Sequence, residues 1–518
     1  MVRRRTLLGG AAVAAAAPIL TLSSRADAAA SLPLTLLNHT NRYPNSQIFL
    51  YVVGTDLGTG QQVYVRQDGA KVPVSPSLNG PDGFADLSIP LVADGDTTVN
   101  LPQLSGRVYV SIGQKIKFKV VTDGNGRPAL QHPAGWVSSD PSYNVLHDFM
   151  EFTLNNAGMF CNVTMVDMFS IPMSLTLRGQ RSQTTGTLVA NGRDNILAGV
   201  AAVSGFGSLV VSGLRVIAPG HGIDAGLFSS TYYDSYVNDV WTRYAGTDLR
   251  VQVPSGTYTG RVSGGQLVFN NGVRAFARPS TRDIFYCDGA LNAGASGAND
   301  PSPPVAAILG AAFNRSTLRD NPNQPTTDAS TFYQTPISNH YARVIHQNTQ
   351  DHKAYGFAFD DVTGFASYIE DPAPNGVTLE LTPFGSSAPG NGGGTPTSSQ
   401  LLTGQRLTRG QELVSPSGRF HLTLQADGNL VLYDGSPGSQ NAIWATGTWN
   451  LPTDRRPTHA DMQADGNLVL YNDAMQPAWA AGVFGSFVNP YLEVQNDGNL
   501  VIYHNGRNAI WASGTARA

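Results

Sequence analysis

The chain has 518 residues, of which 33 are Lys or Arg and 37 are Asp or Glu, with a formal net charge of −4. That length is too great for one ordinary domain and suits two or three. Charged residues make up only 14% of the chain, and no basic field is available, so nucleic acid is excluded as a partner. The 56 Gly and 32 Pro, with many Thr, Val and Asn, favour a mainly β, multidomain architecture.

Residues 1–28 are predicted to be an export signal that lies outside the fold. Three arginines at positions 3–5 precede an Ala-rich apolar stretch, and Ala26-Asp27-Ala28 has the small residues of a cleavage site. The adjacent arginines favour the twin-arginine route, with an ordinary secretory signal as the alternative. No later stretch is long and apolar enough to span a membrane. The sequence therefore predicts a secreted, extracellular protein.

Residues 29–384 form the larger predicted domain. Strand-like patterns occur at 46–53, 106–112 and 116–121. Helix-like patterns follow at 225–244 and 305–313, and a further strand-like pattern lies at 355–366. We expect a β lobe from about 31–180 and 340–384, with a mixed α/β lobe at about 181–339 between them. Cys161 and Cys287 are the two cysteines; they either pair or stay free, because a domain this large does not need a disulfide.

A candidate for chemistry lies between residues 148 and 172. On a strand, Glu151, Thr153 and Asn155 share one face, while the apolar residues between them share the other. Asp167 stands in apolar surroundings, so its carboxylate is either exposed at a cleft or desolvated. Glycoside hydrolysis needs two carboxyl groups in different protonation states. Glu151 and Asp167 are a candidate pair of this kind.

The Gly/Ser/Pro-rich composition of residues 385–399 predicts a flexible linker, here called the tether. It would join residues 29–384 to a smaller domain at 400–518. The smaller domain repeats Gln-x-Asp-Gly-Asn-Leu-Val-x-Tyr three times, each copy running toward a Trp. If each copy is a strand, its polar residues share one face. Amides, carboxylates and hydroxyls match the hydroxyls of sugars. The candidate sugar-binding residues are Gln425, Asp427, Asn429, Val431, Tyr433, Gln463, Asp465, Asn467, Val469, Tyr471, Gln495, Asp497, Asn499, Val501 and Tyr503.

These repeats resemble the bulb-type mannose-binding lectins, whose pattern is Gln-x-Asp-x-Asn-x-Val-x-Tyr. The resemblance implies a three-sided β-prism (the β-prism II fold) with one sugar pocket on each side and three Trp residues in its core. Mannose-type glycans are the implied ligands. The alternative is that the repeats only build the prism and have lost the ability to bind sugar.

The larger domain resembles glycoside hydrolase family 64, the laminaripentaose-producing β-1,3-glucanases. The resemblance covers most of residues 31–384 and lies in Met150-Glu-Phe-Thr153, Asn162-Val-Thr-Met-Val-Asp167, Ile171–Leu175, Ala311–Leu318, Asn339–His346 and Lys353–Val362. The last segment looks like a signature shared with thaumatin-like proteins. The implied fold is a thaumatin-like β-barrel or sandwich lobe beside the mixed α/β lobe.

The family resemblance also implies roles for individual residues. Glu151 would be the general acid and Asp167 the general base in hydrolysis with inversion. Thr153, Asn155 and Phe160 match positions that line the glucan cleft, although Phe160 departs from the Trp that relatives often carry. Asp360 and Asp361 either add negative charge to the cleft or brace a loop. His147 either tunes Glu151 or caps a loop.

The sequence thus predicts a monomeric, secreted endo-β-1,3-glucanase that a lectin module holds on glycan surfaces, with β-1,3-glucan as substrate. No cofactor or metal is expected, since no Cys/His or acidic pattern has metal-ligand spacing. The alternative is a β-glucan- or mannan-binding thaumatin-like antifungal or lectin protein without catalysis. Such a protein would have no need of both Glu151 and Asp167.

Overall fold

The computed structural model describes residues 31–384, except 212 and 295–299. It also describes residues 399–517, with gaps at 403–405, 438–440, 464, 473, 475, 486, 488–489 and 505–507. The chain divides into two compact units after residue 385. The predicted export signal and all but the last residue of the predicted tether lie outside the described residues. Within the described ranges, no helix has the length and apolar character needed to cross a membrane.

The first unit is built from strands, with helices concentrated in the middle of its sequence. Its strands are β1 (Ser31–Asn38), β2 (Ile48–Thr55), β3 (Gln62–Val65), β4 (Lys71–Pro73), β5 (Ile89–Pro90), β6 (Thr97–Pro102), β7 (Leu104–Ile112), β8 (Lys119–Thr122), β9 (Pro128–Gln131), β10 (Leu146–Asn155), β11 (Gly158–Val163), β12 (Met168–Phe169), β13 (Met173–Arg178), β14 (Ser182–Thr185), β15 (Val210–Val211), β16 (Arg215–Ile217), β17 (Leu249–Val253), β18 (Gly256–Ser263), β19 (Gln266–Phe269), β20 (Asn323–Gln324), β21 (Tyr368–Asp371) and β22 (Gly376–Leu381). Its helices are α1 (Gly192–Ala201), α2 (Pro219–Asp224), α3 (Asp234–Gly246), α4 (Thr281–Tyr286), α5 (Ser302–Asn314) and α6 (His340–Gln347).

Two sheets form the β lobe. One has the strand order β14-β13-β22-β1-β6, and the other has the order β21-β11-β10-β7-β2-β3-β4 with β5 paired to β2. Strand β1 lies parallel to β22, so the two ends of the unit meet in one sheet. The apolar faces of both sheets contribute to one core, because alternate residues of each strand point inward.

Strand β10 shows this alternation clearly. Met150, Phe152 and Leu154 are buried in the core, while Glu151 and Thr153 are half-buried on the opposite face. The predicted division of this strand into an apolar and a polar face is confirmed. A strand whose two faces differ in this way has one register that buries its apolar side chains.

The mixed lobe packs α1, α3, α5 and α6 with the sheet β19-β18-β17-β20 around residues that belong to the same continuous core. The predicted helix at 305–313 is confirmed as α5. The predicted helix at 225–244 begins later, at Asp234. Gly226 has a φ of +70°, and Ser229 and Thr231 form a side-chain turn ahead of the helix, so helical backbone cannot extend through them.

Residues 355–366, which have a strand-like sequence pattern, do not form a strand, so that prediction is wrong. The segment is a series of turns, in which Asp360, Val362 and Gly364 each donate a backbone bond three residues back. Thr363 and Gly364 both have positive φ, at 68° and 80°. Left-handed backbone ends strand pairing, and the strand of this region is β21, which follows the turns.

Cys161 and Cys287 are both buried and both free, which decides between the two alternatives that the sequence leaves open. Cys161 lies on β11 inside the sandwich, and Cys287 follows α4 in the mixed lobe. Burial raises the pKa of both thiols above the usual range. Both residues act as small apolar core residues.

The second unit contains β23 (Gln400–Leu402), β24 (Arg406–Thr408), β25 (Glu412–Val414), β26 (Phe420–Leu424), β27 (Leu430–Asp434), β28 (Ala442–Ala445), β29 (His459–Met462), β30 (Leu468–Tyr471), β31 (Pro477–Ala480), β32 (Tyr491–Val494), β33 (Leu500–His504) and β34 (Asn508–Ala512). They form three four-stranded sheets. Trp444, Trp479 and Trp511, one from each sheet, meet edge to face with ring centroids 5.6–6.3 Å apart. The unit is therefore a three-sided β-prism, and the repeated tryptophans are half-buried residues that pack against its buried core.

Candidate functional sites

The polar face of β10 lies in the middle of the eight-stranded sheet, between β7 and β11. Cross-strand register gathers polar and aromatic side chains into two adjacent rows on that face. One row is Arg107, Glu151, Asn162 and Tyr368, and the next is Ser105, Thr153, Phe160 and Glu370. Residues directly opposite one another in an antiparallel pair have side chains in contact range.

Arg107 joins the two candidate carboxylates. Its Nη2 and Nε donate to Oε1 of Glu151 at 2.8 and 3.1 Å, and Nη2 lies 3.8 Å from Oδ2 of Asp167. Burial acts to lower the pKa of Arg107, but Tyr109 and the two carboxylates outweigh burial and raise it. The guanidinium also packs 4.2 Å over the ring of Phe149. Glu151 and Asp167, both predicted from the sequence, are thus brought together around a permanent cation.

Asp167 is held by the mixed lobe. Its backbone carbonyl accepts from the amide of Ala218, and its Oδ1 lies 2.7 Å from Nε2 of His221, on α2. The indole of Trp136 stacks on the His221 ring at 4.4 Å with an angle of 22° between the planes. These contacts fix the plane of the Asp167 carboxylate.

A buried arginine positions the loop that carries Trp136. Arg215, on β16, is fully buried and donates to the carbonyls of Gly135 and Val145 at the two ends of that loop. A Cβ at Gly135 would lie 2.1 Å from Nη1 of Arg215, so only glycine allows this approach. Burial lowers the pKa of Arg215 to about 10, which leaves it charged at neutral pH.

Sequence reasoning missed Arg107, His221, Trp136 and Arg215. For Arg107 a signal was present, since it is the only charged residue within the strand Leu104–Ile112. The other three contact partners that are distant from them in sequence, so only tertiary packing brings them together.

The predicted cleft residues lie close to Glu151. The hydroxyls of Thr153 and Ser105 are 2.8 Å apart, and Phe160 is the half-buried cross-strand neighbour of Thr153. Asn155 lies at the end of β10, where its side-chain oxygen accepts from the amide of Ala157 in the hairpin turn. All three belong to the two strands that form the hairpin around Glu151.

His147 caps a loop, which is one of the two roles that the sequence left open for it. It is fully buried, and its Nδ1 donates to the carbonyl of Val145 at 2.8 Å. Burial, and then the charge of Arg215, lower the pKa of His147 to about 3, so the ring is neutral at physiological pH. It makes no described hydrogen bond with Glu151.

Asp360 and Asp361 occupy different environments. Asp360 has 0% exposure and accepts from Nη2 of Arg315 at 3.1 Å, from Nε2 of His346 at 2.9 Å and from the amide of Gly356 at 2.9 Å. These contacts match the loop-bracing alternative for Asp360. Asp361 is exposed, and its negative charge adds to that of Glu151 in raising the pKa of Tyr355, after burial as the main cause.

The sugar motifs of the second unit differ from the sequence prediction in one respect. Residues 425–429 are a hairpin turn, not a strand, because Gly428 has a φ of +85° and Gln425 donates its amide to the carbonyl of Asn429. The strand begins at Leu430. The side chains of the first half of the motif are therefore positioned by the turn and not by the alternation of a strand.

The three motifs nevertheless share one geometry. The Gln amide donates to the Tyr hydroxyl at 2.7, 2.9 and 2.7 Å, and the Asp Oδ1 accepts from the Asn backbone at 3.0, 3.0 and 2.9 Å. The Val residue between Asn and Tyr is buried in each copy. Gln, Asp, Asn and Tyr therefore come together on each side of the prism.

Comparison with known proteins shows the family to which the first unit belongs. The family model for the β-1,3-glucanases of glycoside hydrolase family 64 matches residues 30–381. A glucan endo-1,3-β-glucosidase from Cellulosimicrobium cellulans is 37% identical over 409 residues, which cover 75% of this chain and 71% of that protein. The chain belongs to glycoside hydrolase family 64 and is a glycosidase of the glucan endo-1,3-β-glucosidase type.

Solved structures show the same fold for the first unit. A laminaripentaose-producing β-1,3-glucanase in complex with laminaritetraose is 38% identical, with a TM-score of 0.63, over 69% of this chain and 99% of that one. A family 64 β-1,3-glucanase domain from Clostridium beijerinckii is 28% identical, with a TM-score of 0.60, over 69% of this chain and 100% of that one.

We predict that Asp360→Asn lowers the free energy of unfolding by about 3–5 kcal/mol, because Arg315 is then left buried without its carboxylate. Burial lowers the pKa of His346, but Asp360 outweighs burial and the net shift is upward. The contribution of this His–Asp pair is therefore complete below pH 6.5 and is lost as pH rises through the raised pKa of His346. Guanidinium denaturation at several pH values measures both effects.

Asp361→Asn is the matched control, since it removes a neighbouring but exposed carboxylate. We expect its free energy of unfolding to stay within about 0.5 kcal/mol of the wild-type value. Equal losses in the two variants would contradict the assignment of the structural role to Asp360.

Proposed function

We propose that the first unit hydrolyses linear β-1,3-glucan with inversion at the anomeric carbon, with Glu151 as general acid and Asp167 as general base. The observation that carries this proposal is the placement of both half-buried carboxylates around Arg107 on the open polar face of β10. Arg107 donates both its bonds to Oε1 of Glu151, so Oε2 is the oxygen from which a proton can pass to the leaving oxygen. Asp167 takes a proton from the attacking water.

The glucan lies along the rows of side chains that flank Glu151. Thr153 and Asn155 offer a hydroxyl and an amide, and Phe160 offers an apolar face for a sugar ring. Asp361 extends the negative charge of the cleft beyond Glu151. Asp360 is not part of this substrate surface, because it is enclosed by its own partners. Oligosaccharides of the laminaripentaose type are the proposed products, as the name of the solved relative indicates.

The second unit is proposed to bind mannose-type glycans through its three Gln-x-Asp-x-Asn-x-Val-x-Tyr motifs. Its threefold repetition of one polar geometry supports this role, because several weak sugar contacts on one body add up to firm attachment. The protein is proposed to be secreted, with the arginine-led segment at 1–28 as its signal. The lectin unit then keeps the hydrolase on glycan surfaces such as fungal walls.

We predict that Glu151→Gln and Asp167→Asn each lower the rate of glucan hydrolysis by at least about 10²- to 10⁴-fold, the range for loss of general acid or base catalysis. Reducing-sugar release from a linear β-1,3-glucan measures the rate, and NMR of the first product measures its anomer, which we expect to be α. Glu380→Gln, on the other sheet, is the control and keeps wild-type activity. Wild-type rates in either catalytic variant would contradict the assignment.

We predict that Tyr433→Phe, Tyr471→Phe and Tyr503→Phe together lower retention on insoluble mannan at least about tenfold, since each pocket loses a hydroxyl that the Gln amide orients. Pull-down measures retention. Hydrolysis of a soluble β-1,3-glucan is the internal control and should not change. Unchanged retention would mean that these motifs do not hold the protein on mannan.

A further inference from the structure

A continuous chain of hydrogen bonds runs back from Asp167 into the mixed lobe. Nε2 of His221 lies 2.7 Å from Oδ1 of Asp167, and Nδ1 of His221 lies 3.0 Å from the hydroxyl of Tyr286. That hydroxyl is 2.9 Å from Oδ2 of Asp224. Arg282 closes the chain by donating to both oxygens of Asp224 at 2.8 and 2.9 Å.

The number of protons available to these hydrogen bonds determines which group donates in most of them. The two hydrogen bonds from Arg282 hold the pKa of Asp224 below its usual value. Asp224 is therefore ionised and only accepts hydrogen bonds. Burial, and then Asp224, raise the pKa of Tyr286, which therefore keeps its single proton and donates it to Asp224. The Tyr286 oxygen must then accept from His221, so Nδ1 of His221 carries a proton.

The 2.7 Å contact between Nε2 and Oδ1 needs one more proton. If Asp167 is ionised, as a general base must be, that proton is on Nε2 and His221 is an imidazolium. The stacked indole of Trp136 suits a cation, because an aromatic face attracts positive charge. Among the contacts of the described residues, His221 is bonded to Asp167 and Tyr286. Asp224 and Arg282 lie beyond Tyr286, and Arg107 and Glu151 lie beyond Asp167.

We infer that His221 is a positioning residue that works as an imidazolium, holding Oδ1 of Asp167 so that Oδ2 is the atom that receives the proton of the attacking water. This inference rests on the proposed hydrolysis. In the step, an O–H bond of water breaks, its proton goes to Oδ2, and the oxygen bonds to the anomeric carbon. The glycosidic bond breaks at the same time, and its oxygen takes the proton of Glu151.

The test is the pH profile of His221→Gln, whose amide can still donate to Asp167 but carries no charge. Without the cation, the carboxylate ionises at higher pH, so the acid limb of kcat should move upward by about one to two pH units. KM should change little, because both ring nitrogens of His221 are bonded to protein groups. Tyr286→Phe, which removes the acceptor of the Nδ1 proton, should move the same limb in the same direction by less.

His39→Gln is the matched control, since His39 forms a His–carboxylate pair with Glu380 on the other sheet. Its profile should superimpose on the wild-type profile. An acid limb that stays in place in His221→Gln, with only a lower rate at every pH, would reduce His221 to a structural role and overturn the inference. An inactive wild-type protein would instead overturn the proposed function.

A second, independent feature lies in the lectin unit. Trp449 and Phe484 are the most exposed large apolar side chains among the described residues, at 56% and 76%. Each stands five positions after the Trp of its repeat, Trp444 and Trp479. The third repeat has Ala516 at that position.

The backbone beside each aromatic residue is bonded to the sugar motif. The amide of Thr448 donates to Oδ1 of Asn429 at 3.2 Å. In the second repeat, the amide of Gly482 donates to Oδ1 of Asn467 at 3.1 Å, and that of Gly485 to the carbonyl of Asp465 at 2.9 Å. Trp449 and Phe484 therefore lie beside backbone that is bonded to the first and second motifs.

We propose that Trp449 and Phe484 form a second sugar subsite in two of the three pockets, where the next residue of a mannose oligosaccharide stacks. This rests on the proposed lectin function. A ring beside the motif contributes apolar area to a sugar that the polar motif does not reach. The third pocket, with Ala516 at the corresponding position, holds one sugar only.

Calorimetry on the full chain with mannose and with a linear mannotriose tests this proposal. In a Trp449→Ala/Phe484→Ala double variant, mannotriose affinity should fall about tenfold while mannose affinity stays the same. Leu57→Ala, which trims an exposed apolar side chain of the first unit, is the control. Equal losses for both sugars, no loss for either, or a change only in self-association by ultracentrifugation would overturn it. A wild-type protein that binds neither sugar would refute the lectin function instead.

Discussion

The candidate active site depends on one cation placed on the polar face of a sheet. Arg107 reaches it because β7 pairs with β10 in a register that sets Arg107 opposite Glu151. The same guanidinium lies near Asp167, which comes from a separate segment. Arg107 therefore places one positive charge beside both acids. The pairing of β7 with β10 is therefore as important to the site as the two acids themselves.

The two proposed catalytic carboxylates are held in place by different lobes. Glu151 is part of the sandwich and inherits the rigidity of its sheet. Asp167 takes its backbone and side-chain partners from Ala218 and His221, at the start of α2. The two lobes share a continuous hydrophobic core, so small shifts of one lobe against the other are resisted by packing. That common core resists changes in the relative positions of the two carboxylates.

Much of this arrangement could be read from the sequence because its signals are local. Alternation along β10 gave the polar face of Glu151, and the resemblance of the three repeats to bulb-type lectins implied the prism. The sequence failed where tertiary contacts decide the structure. Residues 355–366 look like a strand, yet buried bonds from Arg315 and His346 to Asp360 stabilise turns there. In the lectin motif, one glycine with positive φ turns an apparent strand into a hairpin. His221 and Trp136 carry no local signal, because their partners are distant in sequence.

The two buried, free thiols have a consequence for how the protein can be handled. Since neither unit relies on a described disulfide, the fold is complete under reducing conditions, where oxidants and disulfide isomerases are absent. The chain is then suited to production in an ordinary bacterial cytoplasm. It should also keep its fold and its activity in the presence of reductants.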